Sequence, residues 1–365
     1  MRSMIFYNLL QPAVINFVLA KMVNMKLTLQ LNSLLAAALF LSQAGLSQTV
    51  KPQENFLNKM DTIRNEGNVK TASPLAKKFQ LIKGSKMAYM ETGAGDPIVF
   101  LHGNPTSSYI WRNIIPYVRG LGHCIAPDLI GMGDSQKLPD SHAYTFELNE
   151  EYLDSFFHSM GIKKNIIFVV HDWGSALAFD WARKHPDAVK GIVYMEAIVK
   201  PKYWHELPPL GQEIFKSLRS EKGEQMVLQQ NSMIEFNLVR SVFRHLTEEE
   251  LNAYRRPFAE PGEDRRVMLN WARQLPIEGE PANIVKIVSD YGDFLSYSKI
   301  PKLFIEAQPG TLTEGEKAFC GAWPNQVHIT LPGHHHLQED APNEIGTAIS
   351  VWIQGLAQHW SFPRS

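Results

Sequence analysis

From Phe79 onwards the chain alternates short apolar runs with longer stretches of helical spacing. Ile98-Val99-Phe100-Leu101, Cys124-Ile125-Ala126, Ile166 to Val170 and Gly191 to Met195 are brief and almost wholly apolar, the pattern of strands buried on both faces. Each is followed by a turn and a helical pattern, which predicts a mostly parallel sheet with helices on both faces. Phe79 to Lys83, a Gly84-Ser85 turn and Met87 to Glu91 predict an opening hairpin. Between about Ile198 and Ser298 the rhythm changes to helical segments separated by proline-rich turns. Leu303-Phe304-Ile305 and Val327-His328-Ile329 then resume the strand pattern. The reading is one α/β body, residues 77–197 and 300–358, interrupted by a helical cap at 198–299. No repeat of fixed period is present.

Upstream the pattern differs. No charge occurs between Lys26 and Lys51, and Leu34 to Leu41 forms a short apolar block flanked by Met25-Lys26 and by small residues around Ala44 and Ser47. This is the layout of a secretory signal peptide, so residues 1–48 are expected to be a signal peptide or an amino-terminal anchor, with translation starting at Met1 or Met25. The expected location is the secretory pathway or outside the cell, with membrane contact only if the segment is retained, and the cytoplasm if it is not a functional signal. Residues 49–76 are polar with mixed charge and read as a linker.

Composition narrows the classes. The 365 residues carry 36 Lys plus Arg against 37 Asp plus Glu, so no basic field exists to collect phosphates, and a nucleic-acid partner is not expected. Two cysteines, Cys124 and Cys320, cannot build a disulfide framework or a thiolate metal cage.

The strongest chemical signal is Val169-Val170-His171-Asp172-Trp173-Gly174-Ser175, an apolar strand running straight into small residues that open a helix. A sharp strand-to-helix turn presents its central side chain to a pocket, and the free N–H groups of the helix start point the same way. Where a Gly-x-Ser-x-Gly elbow would expose serine, this chain places Asp172, a carboxylate ionised at neutral pH that needs no base to become a nucleophile. The competing reading is an aspartate that caps the helix. A second signal, Phe100-Leu101-His102-Gly103-Asn104-Pro105, leads from a strand into a glycine-containing loop at the carboxyl edge of the sheet, where ligands bind and backbone N–H groups can face an oxyanion.

Four motifs together, His102-Gly103-Asn104-Pro105-Thr106-Ser107-Ser108, Ala126-Pro127-Asp128-Leu129-Ile130-Gly131-Met132-Gly133, His171-Asp172-Trp173-Gly174-Ser175-Ala176-Leu177 and Gln338-Glu339-Asp340-Ala341-Pro342, resemble the haloalkane dehalogenases. The branch in question also contains the Renilla-type coelenterazine luciferases. The likeness runs from about Phe79 to Leu356. It implies the α/β-hydrolase fold, a small apolar halogenated substrate or coelenterazine, and no cofactor. It also implies roles: Asp172 as nucleophile, Trp173 and Asn104 as donors to halide and oxyanion, His335 as the base that activates water. For the acid behind the histidine two residues sit at plausible strand ends, Glu196 and Glu306. The branch resembled places the acid after the strand preceding the cap, which selects Glu196.

Other readings compete. The same polar pocket serves a luciferase-like monooxygenase. An epoxide hydrolase would need acidic phenols from the cap, for which Tyr203, Tyr254, Tyr291 and Tyr297 are candidates. A silent binding protein would keep the pocket without the chemistry. His334-His335-His336 lacks the spacing of a metal site, so no metal is expected. His102 and His171 alternate away from the pocket and read as structural. Among Trp204, Phe215, Phe236, Phe243, Trp271 and Phe294 most are expected to pack the cap, with one or two touching substrate.

Overall fold

The computed structural model describes residues 56–57, 59–60, 69–312 and 317–357. The signal or anchor read at 1–48 and most of the linker at 49–76 lie outside them. Among the described residues no helix is long and apolar enough to cross a membrane.

Eight strands form one sheet: β1 Lys78–Ile82, β2 Ser85–Thr92, β3 Pro97–Leu101, β4 His123–Pro127, β5 Ile166–Asp172, β6 Val189–Ala197, β7 Lys302–Pro309 and β8 Gln326–Gly333. They correspond to the eight apolar runs of the sequence. Their spatial order is β1-β2-β4-β3-β5-β6-β7-β8. The pairs β1/β2 and β2/β4 are antiparallel and all others parallel. After β3 the chain moves outward to β4, then returns to place β5 on the other side of β3. This reversal opens a crevice between the loops that leave β3 and β5, where a doubly wound sheet binds ligands.

Alternation along β5 divides the core in two. Ile166, Phe168 and Val170 join one buried cluster with the helices Phe146–Ser159, Trp173–Lys184 and Ala282–Tyr297. Ile167 and Val169 join another, with Trp111, Ile115 and the helix Pro342–Ala357. The period of two in the strand thus meets helices on both faces. Thr145 accepts from Leu148 N and starts the helix Phe146–Ser159, whereas Trp173–Lys184 starts without a side-chain cap and ends on Arg183 and Lys184, which oppose its negative pole. Both cysteines are buried, and burial pushes the Cys124 thiol up to about 12.

Residues between β6 and β7 carry no strand of the sheet. They hold the helices Pro209–Arg219, Glu248–Arg255, Arg266–Gln274 and Ala282–Tyr297 and the π-helical turns Glu224–Gln229 and Met233–Leu238. This layer rests on the body partly through Tyr291, whose ring lies 5.5 Å from Phe179.

The helix Trp173–Lys184 crosses the end of β3 at Gly174, where a Cβ would stand 2.3 Å from the Leu101 carbonyl oxygen. Backbone cannot yield there as a flexible side chain could. Gly174→Ala is therefore expected to lose about 1–3 kcal/mol of stability, read as a lower urea midpoint at constant slope; an unchanged midpoint refutes the close-approach argument.

Candidate active site

Strand β5 ends on Asp172, whose backbone sits at φ 48° and ψ −128°. A non-glycine residue there stores about 1–3 kcal/mol of strain, and the turn lifts the carboxylate out of the sheet. The side chain makes no hydrogen bond to the helix that follows, so it is not a cap. Instead Asn104 N–H donates to its Oδ1 at 2.8 Å. The loop after β3 approaches so closely that a Cβ on Gly103 would fall 2.2 Å from Asp172 Oδ1. Only glycine leaves room for the carboxylate.

A bulge aims Glu196. His171 pairs with Met195 but Asp172 pairs with Ala197, leaving Glu196 as the extra residue, at φ 43°. Its carboxylate is fully buried and accepts Thr311 N–H at 3.0 Å and Leu312 N–H at 2.8 Å from the turn after β7. In that turn Gly310 has φ 67°, and a Cβ on it would lie 2.7 Å from Glu196 Oε1. His335, on the loop after β8, places Nδ1 3.1 Å from Glu196 Oε2 and Nε2 3.4 Å from Asp172 Oδ2. One imidazole therefore bridges two buried carboxylates.

Charge follows from this placement. Burial works to neutralise His335, but the hydrogen bonds and charges of Asp172 and Glu196 outweigh it and raise the imidazolium to about 9. Burial likewise opposes ionisation of Glu196, yet His335 and the N–H groups of Leu312 and Thr311 bring it down to about 2. Asp172, also desolvated, is held below the ordinary carboxylate value by His335, by His171 and by Asn104 N–H. The neighbouring imidazoles go the other way. Burial, then the His335 charge, lowers His171 to about 3 and carries His336 well below its usual value.

Asn104 and Trp173, the expected donors, line the same cavity as Asp172. Asn104 Nδ2 spends one hydrogen on Met268 O at 3.0 Å, which leaves its second. The Trp173 ring lies 4.6 Å from that of Trp271. Met268 and Trp271 both belong to the helix Arg266–Gln274, which thus contacts the side chains of both Asn104 and Trp173. They open onto a cavity of about 420 Å³ that also holds Asp172 and His335. Of the six aromatics read for the cap, Phe215 and Phe236 line it; Trp271 is buried against Trp173, and the Phe243 ring is tilted against that of His334 with centroids 4.3 Å apart. None of the four candidate phenols does: Tyr254 bonds Glu339, Tyr291 donates to Ile198 O, and Tyr203 and Tyr297 are exposed.

Glu306 lies apart on β7, bonded to His328 at 2.8 Å and Thr330 at 3.0 Å on β8 and to Lys317 at 2.8 Å on the helix Lys317–Cys320. His102 is buried between Gly103 O and Leu129 N, and His171 Nε2 meets His335 O. His336 turns to Ser241, and among the described residues no cluster suits a metal ion. Sequence reasoning missed Met268, the Gly310–Leu312 turn and the buried cation Lys202 in the cavity wall. The Pro309-Gly310 pair after β7 was the available signal for the turn; nothing marked the other two.

Comparison with known proteins gives this geometry its context. Residues 96–342 match the family described as alpha/beta hydrolase fold. Over 283 residues the chain is 52% identical to a haloalkane dehalogenase of Sphingobium indicum, covering 77% of this chain and 96% of that protein. The chain belongs to the haloalkane dehalogenase family. It is 46% identical to a member from Mycolicibacterium smegmatis, across 76% of this chain and 91% of that one. The crystal structure of haloalkane dehalogenase DbeA from Bradyrhizobium elkani superposes with a TM-score of 0.75 at 40% identity, covering 78% and 99% of the two chains. A coelenterazine h 2-monooxygenase of Renilla reniformis is 40% identical across 74% of this chain and 87% of its own.

For this family member the bridged imidazole makes stability depend on pH. His335, raised from 6.5 to about 9 on folding, contributes stability that is whole below pH 6.5 and lost as pH rises through about 9. Glu196, lowered from 4.5 to about 2, contributes above pH 4.5 and loses that contribution as pH falls towards 2. The stability difference between wild type and His335→Gln, from urea unfolding across the upper window, should narrow as pH rises; a constant difference counts against the bridge.

Proposed function

We propose that this protein hydrolyses haloalkanes to alcohol, halide and a proton through an ester on Asp172. The observation that carries the reading is the environment of that one carboxylate: Asn104 N–H on Oδ1 at 2.8 Å, His335 on the side of Oδ2 at 3.4 Å, and Asn104 and Trp173 among the residues that line the same cavity. In the first step an Asp172 oxygen attacks the halogen-bearing carbon in line. The C–O bond forms, the C–X bond breaks, and the halide leaves towards Trp173 Nε1–H and the second hydrogen of Asn104 Nδ2.

Esterification removes the charge on Asp172. His335 thereby loses one of the two carboxylates that hold it protonated, sheds its proton to solvent and becomes a base at the moment it is needed. Water then gives His335 a proton and adds to the ester carbonyl, while Asn104 N–H holds the oxyanion. Collapse releases the alcohol and restores Asp172. Glu196, carrying charge throughout, keeps the ring oriented and stabilises the imidazolium. Residues 198–299 act as the cap that walls the apolar side of the cavity, and residues up to about 48 as a leader outside the catalytic body.

The relative from Renilla supports a second reading, oxidation of coelenterazine with dioxygen in the same pocket, and the two separate in one experiment. Protein lacking residues up to about Gln48 is mixed with dibromoethane and, in parallel, with coelenterazine. Halide release without light is expected, and light without halide release reverses the order of the readings. His335→Phe should release about one halide per active site and then stop, with an alkyl adduct on intact-protein mass that maps to Asp172. An active wild type with neither burst nor adduct in His335→Phe removes the mechanism.

A further inference from the structure

The side chains of Asp172, His335 and Glu196 fix one another only if the backbone carrying His335 is itself held. His171 Nε2 meets His335 O at 2.7 Å and the short helix Leu337–Asp340 follows. The segment His334 to Asp340 is also laced to a distant stretch of the cap. His336 N–H donates to Ser241 O at 3.0 Å, and the His336 ring meets the Ser241 hydroxyl. Asp340 Oδ1 accepts Phe243 N–H at 2.8 Å and Arg244 N–H at 3.2 Å, while its Oδ2 faces His334 N–H. Arg244 Nε donates to Glu339 O at 2.6 Å.

Beneath these contacts lies a closed ion cluster. Glu339, with a fully buried side chain, receives Arg112 on Oε1 and Oε2 at 2.5 and 2.9 Å, Arg244 on Oε2 at 2.5 Å, and the Tyr254 hydroxyl. Glu250 bonds the same two guanidinium groups, Arg112 at 2.9 Å and Arg244 at 2.7 Å, and closes the capping box with Thr247 at the start of the helix Glu248–Arg255. Two cations and two anions balance, and every charge has a partner. Moving any one member strands a buried charge, so the cluster has one well-defined arrangement. Arg112 follows the turn Ser108–Trp111 that leaves the Asn104 loop, so three pieces meet here: the oxyanion loop, the cap and the histidine loop. The cap stretch running into Ser241 also lines the cavity, through Phe236, Asn237 and Arg240.

We infer that Arg112, Arg244, Glu250, Tyr254 and Glu339 form a positioning cluster for His335, tying the cap that meets substrate to the base of the second half-reaction. This rests on the proposed hydrolysis, in which His335 serves ester breakdown and not displacement. A positioning role therefore predicts a selective defect. Loosening Glu339 should slow the step that needs a well-placed imidazole and spare the step that needs Asp172, Trp173 and Asn104. Loss of structure alone would lower both steps together.

The test uses Arg244→Gln, whose side chain is partly solvent-facing, and Tyr254→Phe, which removes a single hydroxyl. Rapid-quench halide measurement with bromohexane gives the displacement rate, and intact-protein mass gives the fraction held as ester at steady state. Arg244→Gln should keep displacement within about threefold of wild type and slow ester breakdown about tenfold or more, so that ester accumulates. Tyr254→Phe should do the same more weakly, and Arg244→Lys, which keeps one charge, should recover part of the loss. A proportional fall in both steps, or unchanged ester breakdown in both variants, overturns the proposal. A second readout needs no substrate: NMR of isotope-labelled histidine follows the His335 titration, whose midpoint should drop by about one pH unit in Arg244→Gln as the ring loses its place between the carboxylates. An unchanged midpoint counts against the cluster even if wild type proves not to form an ester, the result that would remove the functional reading by itself.

Discussion

An ionised carboxylate held out of water at the end of a central strand is the constraint around which this molecule is built. Asp172 is only 7% exposed, and a desolvated charge of that kind is stable only if groups of opposite polarity reach it. The fold supplies them from separate places: an N–H from the loop after β3, an imidazole from the loop after β8 and, behind that imidazole, a second carboxylate from β6. Each supporting segment needs a close approach, which is why glycines at 103, 174 and 310 stand where a single extra carbon would collide with Asp172, with Leu101 or with Glu196. The strain at Asp172 and the bulge at Glu196 belong to the same requirement, since both turn a side chain that would lie in the sheet towards a shared point.

In the proposed hydrolysis, two carboxylates around one imidazole also set the order of events. While both are charged, His335 is a cation and cannot accept a proton. Once Asp172 is neutralised by an alkyl group, only Glu196 continues to favour the imidazolium, and the base appears. His171 and His336 are needed for this contrast. Burial keeps both neutral, so their rings, with centroids 4.6 and 4.7 Å from that of His335, surround it without competing for the proton.

Much of this was legible in the sequence, because the signals were local. Eight apolar runs gave eight strands, and the junction at Val170 to Ser175 gave the elbow, since a strand that ends on small residues has few other conformations. In the sequence only the resemblance selects Glu196 over Glu306. In the structure the two acids differ in what surrounds them, for Glu196 faces His335 while Glu306 bonds His328, Thr330 and Lys317. What could not be read were partnerships between residues far apart in the chain. Arg112 and Glu339 are separated by 227 positions, and each alone looks like an ordinary surface charge. Nor did helical spacing identify which aromatic rings face the cavity. Phe215 and Trp271 occupy similar amphipathic patterns, yet one lines the pocket and the other packs behind Trp173.

The division of labour between body and cap bears on how one framework accommodates different reactions. The body holds the charged groups, and their positions are set by strand ends and close-packed glycines that tolerate little change. The cap supplies Ile214, Phe215, Leu218, Met233 and Phe236 to the cavity wall, apolar residues on short helices and π-helical turns whose replacement costs no buried charge. A haloalkane and a flat aromatic oxidation substrate demand different walls, so divergence between relatives such as the dehalogenase of Sphingobium indicum and the monooxygenase of Renilla reniformis is expected to concentrate in the cap. Yet on the proposed roles the cap is not free to drift, because Met268 and Trp271 contact Asn104 and Trp173, the proposed halide donors, and Arg244 and Glu250 belong to the cluster proposed to hold the His335 loop. Change in the substrate wall is thereby confined to positions that leave those four contacts intact, which separates the residues that select a substrate from those that keep the chemistry assembled.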